Sequence, residues 1–460
     1  DFDKAIAYAA KAIDFNRYNI DALMLQAAAL RSRNEMAKAE AISETILSYD
    51  PLNHFARFEN YIHQQTEEAK KAVVSLVRNE LPAETFAELA IWYYNAGYAD
   101  EALKVFSLGG PSAEAAFWMA FLQNRKVNCD TIDPELVFCF RSETAMVLEH
   151  LLKSQNDWLL KYQLALIYKD RNREAECKQL LLSCGDLPSY APFYATRAVI
   201  FRDSDSAQSL RDLNKAWALD KTQWRYYKML GEYYNDHRQP QKALAIVAPF
   251  YKAHPEQYIT GILYAKTLML NKKYKEADAV LAKLNIIPFE GATEGKGLYR
   301  EAKLMLALQE MQKNNYKKAL TFISQSRLWP ENLGVGKPYD DEIDSRLEDW
   351  MEYLCGKQLK KVGGEALLDH ILRFTPRIDN TVSNFIPSNT LVSAWAIEKK
   401  EGKAKAGEWI DQQIALYPHL HKTLEWSRAM FEHKAVSDDT QRDAGMRILE
   451  ALATMRAGGH

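Results

Sequence analysis

The densest collection of chemistry-bearing side chains is the stretch Trp329-Pro330-Glu331-Asn332-Leu333-Gly334-Val335-Gly336-Lys337-Pro338. An aromatic plate (Trp329), a carboxylate (Glu331), an amide (Asn332) and an ammonium (Lys337) share a backbone relieved by glycines, a mixture that suits sugars and peptides alike. The competing reading is that Trp329 plugs a gap between helices and the glycines only turn the chain. Gly336-Lys337 is not a phosphate loop, because Glu331 and Pro338 stand where that motif needs Gly and Ser or Thr. Just downstream, Asp340, Asp341, Glu342 and Asp344 offer carboxylates for general acid/base work, yet acids opening a helix near Asp340 also complement its dipole on a solvated first turn. His419 and His421, two apart and without a third ligand nearby in sequence, read as solvated loop histidines rather than a metal site. The sequence holds no Gly-x-Ser-x-Gly elbow, His-Glu-x-x-His or Gly-x-Gly-x-x-Gly motif, so neither catalysis nor a cofactor is expected.

The elements that must carry these residues follow from bulk properties first. A chain of 460 residues, 47% hydrophobic and 26% charged, is too long for one compact core and implies a stacked array or several domains. A net charge of -2 gives no electrostatic reason to expect nucleic acid or an anionic membrane, and no apolar run approaches the ~18 residues of a membrane span. The five cysteines, Cys129, Cys139, Cys177, Cys184 and Cys355, are scattered without a Cys-x-x-Cys pair; buried, reduced thiols are expected, which leans the location toward the cytoplasm while leaving it open.

A repeat organises the chain. Leu230-Gly231 is followed by Tyr234, Ala243, Val247, Phe250 and Pro255; Tyr264-Ala265 is followed by Leu268, Tyr274, Ala277 and Leu281. Ala243 to Ala277 and Ala5 to Ala39 are both 34 residues. Further copies read Phe86, Leu89-Ala90, Tyr93, Gly97, Ala102, Phe106, and Leu306-Ala307, Tyr316, Ala319, Ile323, with weaker ones at Leu164-Ala165, Tyr168, Ala175 and at Ala394, Ala406, Ile410, Pro418. Small residues are demanded where two antiparallel helices cross closely, and aromatics fill the space beside the crossing. This grammar resembles the tetratricopeptide repeat, which implies an all-α, right-handed α-α superhelix, a tetratricopeptide-type solenoid. Pro51, Pro255 and Pro418 punctuate repeats, whereas Pro249 predicts a kink or an early helix end. Ala5 lies in a helix whose first partner is missing, so the chain is expected to start on a second helix, as a fragment or processed form.

Ala277 to Ala319 spans 42 residues, eight beyond the period, and the surplus falls in the Pro288–Gly297 loop. With Trp329–Pro338, an irregular stretch Phe374–Asn389 and a break near Lys126–Pro134, this predicts three groups of helical hairpins, 1–126, 135–287 and 298–460, within one continuous solenoid.

The strings Ala191-Pro192-Phe193-Tyr194-Ala195-Thr196-Arg197-Ala198 and Arg327 to Pro338 resemble segments of large bacterial proteins that join an N-terminal sugar-mutarotase-like β domain to a C-terminal tetratricopeptide array. The resemblance implies a β domain preceding Asp1 and an association with carbohydrate handling, and it carries over no catalytic residue. The partner is then a protein or peptide, or a neighbouring domain of the same polypeptide, with glycan as a further candidate. The face of first helices should carry Arg225, Lys228, Glu232 and Asn235; Glu232 stands where a carboxylate clamp would want Asn. The alternative is an α/α-toroid enzyme acting on sugars through carboxylates near 329–344.

Overall fold

A computed structural model describes residues 1–289, 291–376, 385–434 and 444–457. Among them are 25 α-helices, a few short 3-10 turns and no strand. The helices form two compact units, Asp1–Leu219 and Asp220–His460. The first contains α1 (Phe2–Phe15), α2 (Ile20–Ser32), α3 (Met36–Tyr49), α4 (His54–Gln64), α5 (Glu67–Val74), α6 (Pro82–Asn95), α7 (Ala99–Leu108), α8 (Ala113–Leu122), α9 (Ser142–Leu152), α10 (Trp158–Asp170), α11 (Glu174–Ser183), α12 (Ala191–Phe201) and α13 (Ser206–Leu219). The second contains α14 (Trp224–Asp236), α15 (Pro240–Ala253), α16 (Tyr258–Leu270), α17 (Tyr274–Leu281), α18 (Glu294–Gln312), α19 (Tyr316–Ser326), α20 (Arg346–Gln358), α21 (Gly364–Arg373), α22 (Thr390–Glu401), α23 (Lys403–Leu416), α24 (His421–Phe431) and α25 (Ala444–Ala457).

In both units consecutive helices pack as hairpins, α2 on α3, α6 on α7, α14 on α15, α16 on α17 and α18 on α19 among them, and each hairpin leans on the next. This is the all-α, tetratricopeptide-type arrangement expected from the repeat. The hairpin turns show how it is set. Asn34, Gly97, Asn172, Arg238, Lys272 and Asn314 all have positive φ. Each closes its helix with a paired set of backbone hydrogen bonds, as where Lys272 N donates to Met269 O and Lys273 N to Leu268 O. Five residues after each turn comes a small buried residue: Ala39, Ala102, Cys177, Ala243, Ala277 and Ala319. The left-handed turn thus fixes the register of the second helix, and the residue facing the first helix must be small.

This rule corrects one assignment. In the α10/α11 hairpin the buried small residue is Cys177; Ala175, named from the sequence pattern, is exposed. Ala5 is exposed as well. Gly231 is a close-approach site, since a Cβ there would lie 2.5 Å from Val247 of its own hairpin and 2.9 Å from Leu263 of the next.

Other boundaries also shift. α15 runs through Pro249 to Ala253 without an early end. The 288–297 loop is shorter than expected, because Glu294 to Gly297 already form the first turn of α18. Asp340–Glu342 is a short 3-10 turn, and the next helix starts only at Arg346. Part of the irregular 374–389 stretch, residues 377–384, lies outside the described residues. The breaks at 126–134, 288–297 and 329–338 all fall inside the two units.

Several buried charges are paired with charges of opposite sign. In the first unit Arg31 bridges Glu59 and Glu101, Arg141 bridges Glu84 and Glu114, and Arg197 forks onto Asp212 at 2.9 and 2.7 Å. Burial pushes the Glu59 and Glu114 carboxyls up, against the pull of their arginines. No described helix is long and apolar enough to cross a membrane.

Candidate functional site

The Trp329–Pro338 loop is folded onto its own unit. Asn332 donates both amide hydrogens to main-chain carbonyls, of Leu281 at 3.0 Å and Leu284 at 2.8 Å, and its own carbonyl accepts from Ile286 N at 2.9 Å. Leu333 is fully buried, and Gly334, at φ +76, lies against Ile286, where a Cβ would meet the carbonyl oxygen at 2.9 Å. Trp329 is half-buried beneath Lys296, whose Nζ sits 4.9 Å from the ring centroid and donates to Ser326 O at 2.8 Å. Burial drives the Lys296 ammonium down to about 8, Arg300 adding to the effect and Glu348 opposing it. Glu331 and Lys337 remain at the surface, Lys337 paired with Asp340 at 2.6 Å.

The carboxylates beyond the loop are also engaged. Asp344, expected on a solvated turn, is buried; it grips Arg346 through both oxygens, at 2.9 and 2.6 Å, and accepts Ile386 N. The reason is that helix α20 starts later than expected, so Asp344 precedes it and turns inward. Glu348 is held by Arg300 at 2.5 and 2.6 Å, and Asp349 by Arg327, Ser345 and His370. On α14, Lys228 pairs with Glu232 at 2.6 Å, Asn235 donates to the buried Thr267 of α16 at 2.9 Å, and Arg225 stacks on Trp224 while bonding Gln223. His421 meets Glu425 at 3.4 Å, and His419 sits in the 3-10 turn Pro418–Leu420. The five thiols are buried and unbridged, and burial raises every one, Cys184 to about 11 and Cys355 to about 12, which suppresses thiolate chemistry.

A different place in the second unit combines open space with unengaged polar groups. First helices adjoin one another, α14 with α16, α16 with α18, α20 with α22 and α22 with α24. α18 and α20, bridged by the Arg300–Glu348 pair, adjoin less closely over the rest of their length. The opening is a cavity of about 480 Å³. Its floor is apolar and aromatic: Met311 of α18, Trp350 of α20 and Trp395 of α22 are buried, the two indoles 5.6 Å apart. Tyr316, Tyr353 and Leu354 are half-buried on its walls. Lys357 and Lys399 stand exposed on its rim, and among the described residues neither has a carboxylate partner. α25 closes one side with Leu452 and Met455.

Nothing in a linear motif announced this site. Trp350 and Trp395 fall outside the repeat positions picked out from the sequence, and their proximity depends on how two helices distant in sequence pack. The only available signal was negative, that Lys357 and Lys399 each end a first helix with no acid four residues before them on the same face.

No family model and no curated relative matches the chain. It is similar in general architecture to solved helical-repeat structures. A tetratricopeptide repeat protein from Parabacteroides merdae shows 10% identity over 60% of this chain and 98% of that one, with a TM-score of 0.30. Yeast Tom70 shows 14% identity over 100% and 96%, with a TM-score of 0.32. The P58(IPK) TPR domain shows 14% identity over 90% and 98%, with a TM-score of 0.27. These superpositions are loose, and the assignment as a tetratricopeptide-type hairpin array rests on the helix pairing and turn register described above.

Proposed function

We propose that the chain is a non-catalytic scaffold that holds a protein partner, a peptide or a neighbouring domain of the same polypeptide, on the first-helix face of its second unit. The observation that carries this reading is the cavity between α18, α20 and α22, where the half-buried Tyr316, Tyr353 and Leu354 stand beside two lysines that have no carboxylate partner among the described residues. Exposed ammonium groups beside apolar surface suit a segment with hydrophobic anchors and an acidic residue. Glu331 and Lys337, exposed on the 329–338 loop, Trp329 beside them and Arg225 on α14 are proposed as secondary contacts away from the cavity in the same unit. Asn332, Lys228 and Asn235 serve mainly to hold the fold, because their polar groups are already engaged.

Within this reading, the neighbouring domain would be the sugar-recognising β domain that the family resemblance implies, placing the scaffold in a carbohydrate-handling protein. A glycan fits the cavity itself less well, since Trp350 and Trp395 are only 2% exposed and offer no free face for a sugar ring to stack on. The toroid-type enzyme is disfavoured by the carboxylates near 329–344, with Asp344 locked to Arg346 and Asp340 paired with Lys337. The test is a photo-crosslinking amino acid at Tyr353 in cells. A discrete protein adduct that disappears in Lys357→Ala/Lys399→Ala is the expected result; absence of any protein adduct, or glycan hydrolysis by the purified chain, overturns the proposal.

A further inference from the structure

In a stacked repeat array each hairpin touches only its neighbours. α25 departs from that rule. It packs chiefly on α18, and its Arg447 reaches the buried Glu301 at 2.8 and 2.5 Å, a contact between residues 146 apart in sequence. Its buried side chains, Met446, Ile448, Leu449, Leu452 and Ala453, form one helical stripe. α25 therefore lies on the first-helix face as an amphipathic helix in a groove, which is the geometry by which such faces take a partner helix.

The fit is incomplete. α25 answers Glu301 with Arg447, but its residues Ala451 to Ala457 include no Asp or Glu, so among the described residues no carboxylate of α25 answers Lys357 and Lys399 in the cavity that Leu452 and Met455 border. A helix carrying the same apolar stripe and cation, with a carboxylate about two turns after the cation, would satisfy both ends of the face. We propose that α25 is a displaceable internal occupant of this face, and that the partner is an amphipathic helix with an arginine or lysine for Glu301 and an acidic residue for Lys357 and Lys399. The proposal rests on the scaffold reading above and names the chemistry of its partner.

The experiment uses the full chain and two labelled synthetic peptides: residues 444–457, and the same peptide with Met455→Glu. In the full chain, Arg447→Glu sets like charges against Glu301 and should release α25. The released chain is expected to bind the 444–457 peptide at least tenfold more tightly than the unaltered chain does. The Met455→Glu peptide should bind it more tightly still, and that increment should vanish in Lys357→Ala/Lys399→Ala. Equal peptide binding by the released and unaltered chains overturns the proposal. Hydrogen exchange on the unaltered protein provides an independent reading that survives misfolding of the variant: α25 amides should exchange faster than those of α18 and α20. Exchange of α25 only together with the whole second unit would make it a fixed structural cap and overturn the proposal. A cellular adduct at Tyr353 without peptide binding sinks the displaceable helix alone; peptide binding without any adduct sinks the scaffold reading alone.

Discussion

Two places in the second unit join lysine to tryptophan, and they came to opposite ends. At Trp329, Lys296 is buried, bonded to Ser326 O and laid over the indole, with the loop pinned by Asn332. At Trp350 and Trp395 the indoles are buried beneath the cavity while Lys357 and Lys399 remain on its rim, exposed and, among the described residues, without carboxylate partners. The same residue types thus make a structural clasp in one place and a candidate contact surface in the other. What separates them is whether the hydrogen-bonding capacity is already satisfied inside the protein.

The largest expected effect tests whether the carboxylates flanking the clasp are structural. Arg346→Ala strips a buried Asp344 of its ion pair and should cost about 3–5 kcal/mol, read as a lowered midpoint in urea; an unchanged midpoint would mean that Asp344 is solvated. Next comes the pH dependence of Lys296. Its folded pKa, about 8, lies below the value near 10.5 of a free lysine. The unfolded chain therefore binds more protons in that window, and stability should rise as pH increases from about 8 to about 10.5. The gain is bounded by about 3 kcal/mol. Lys296→Met should abolish that rise; an identical pH profile in both proteins would show that the ammonium is not desolvated.

Asn332→Ala removes two hydrogen bonds to the carbonyls of Leu281 and Leu284 and should destabilise by roughly 1–3 kcal/mol. Partner adduct formation at Tyr353 should persist if the loop acts only as a clasp. At the small end, Lys357→Ala/Lys399→Ala should change stability by no more than about 0.5 kcal/mol, in thermal melts, while abolishing the adduct. A large loss of stability there would erase the contrast between the two sites.

Much of the architecture was readable from local rules. Ala243, Ala277 and Ala319 mark crossings because a helix pair tolerates nothing larger there, and a one-dimensional pattern records that demand directly. Ala175 misled because the crossing is counted from the left-handed turn at Asn172, and Cys177 is small enough to fill it. The 329–338 loop drew notice through its composition, but composition cannot report that Leu281 and Leu284 offer the carbonyls to which Asn332 bonds.

The sequence by itself determined the helices, their hairpin period, the small residues at their crossings and the scarcity of catalytic motifs, all of which depend on contacts within one or two repeats. Only the tertiary structure decided which polar groups are consumed. Asp344 turned inward to Arg346, Lys296 was buried over Trp329, and α25 returned to Glu301 across 146 residues. Such pairings depend on where distant helices lie in space, and no periodicity of a single strand of sequence encodes that distance.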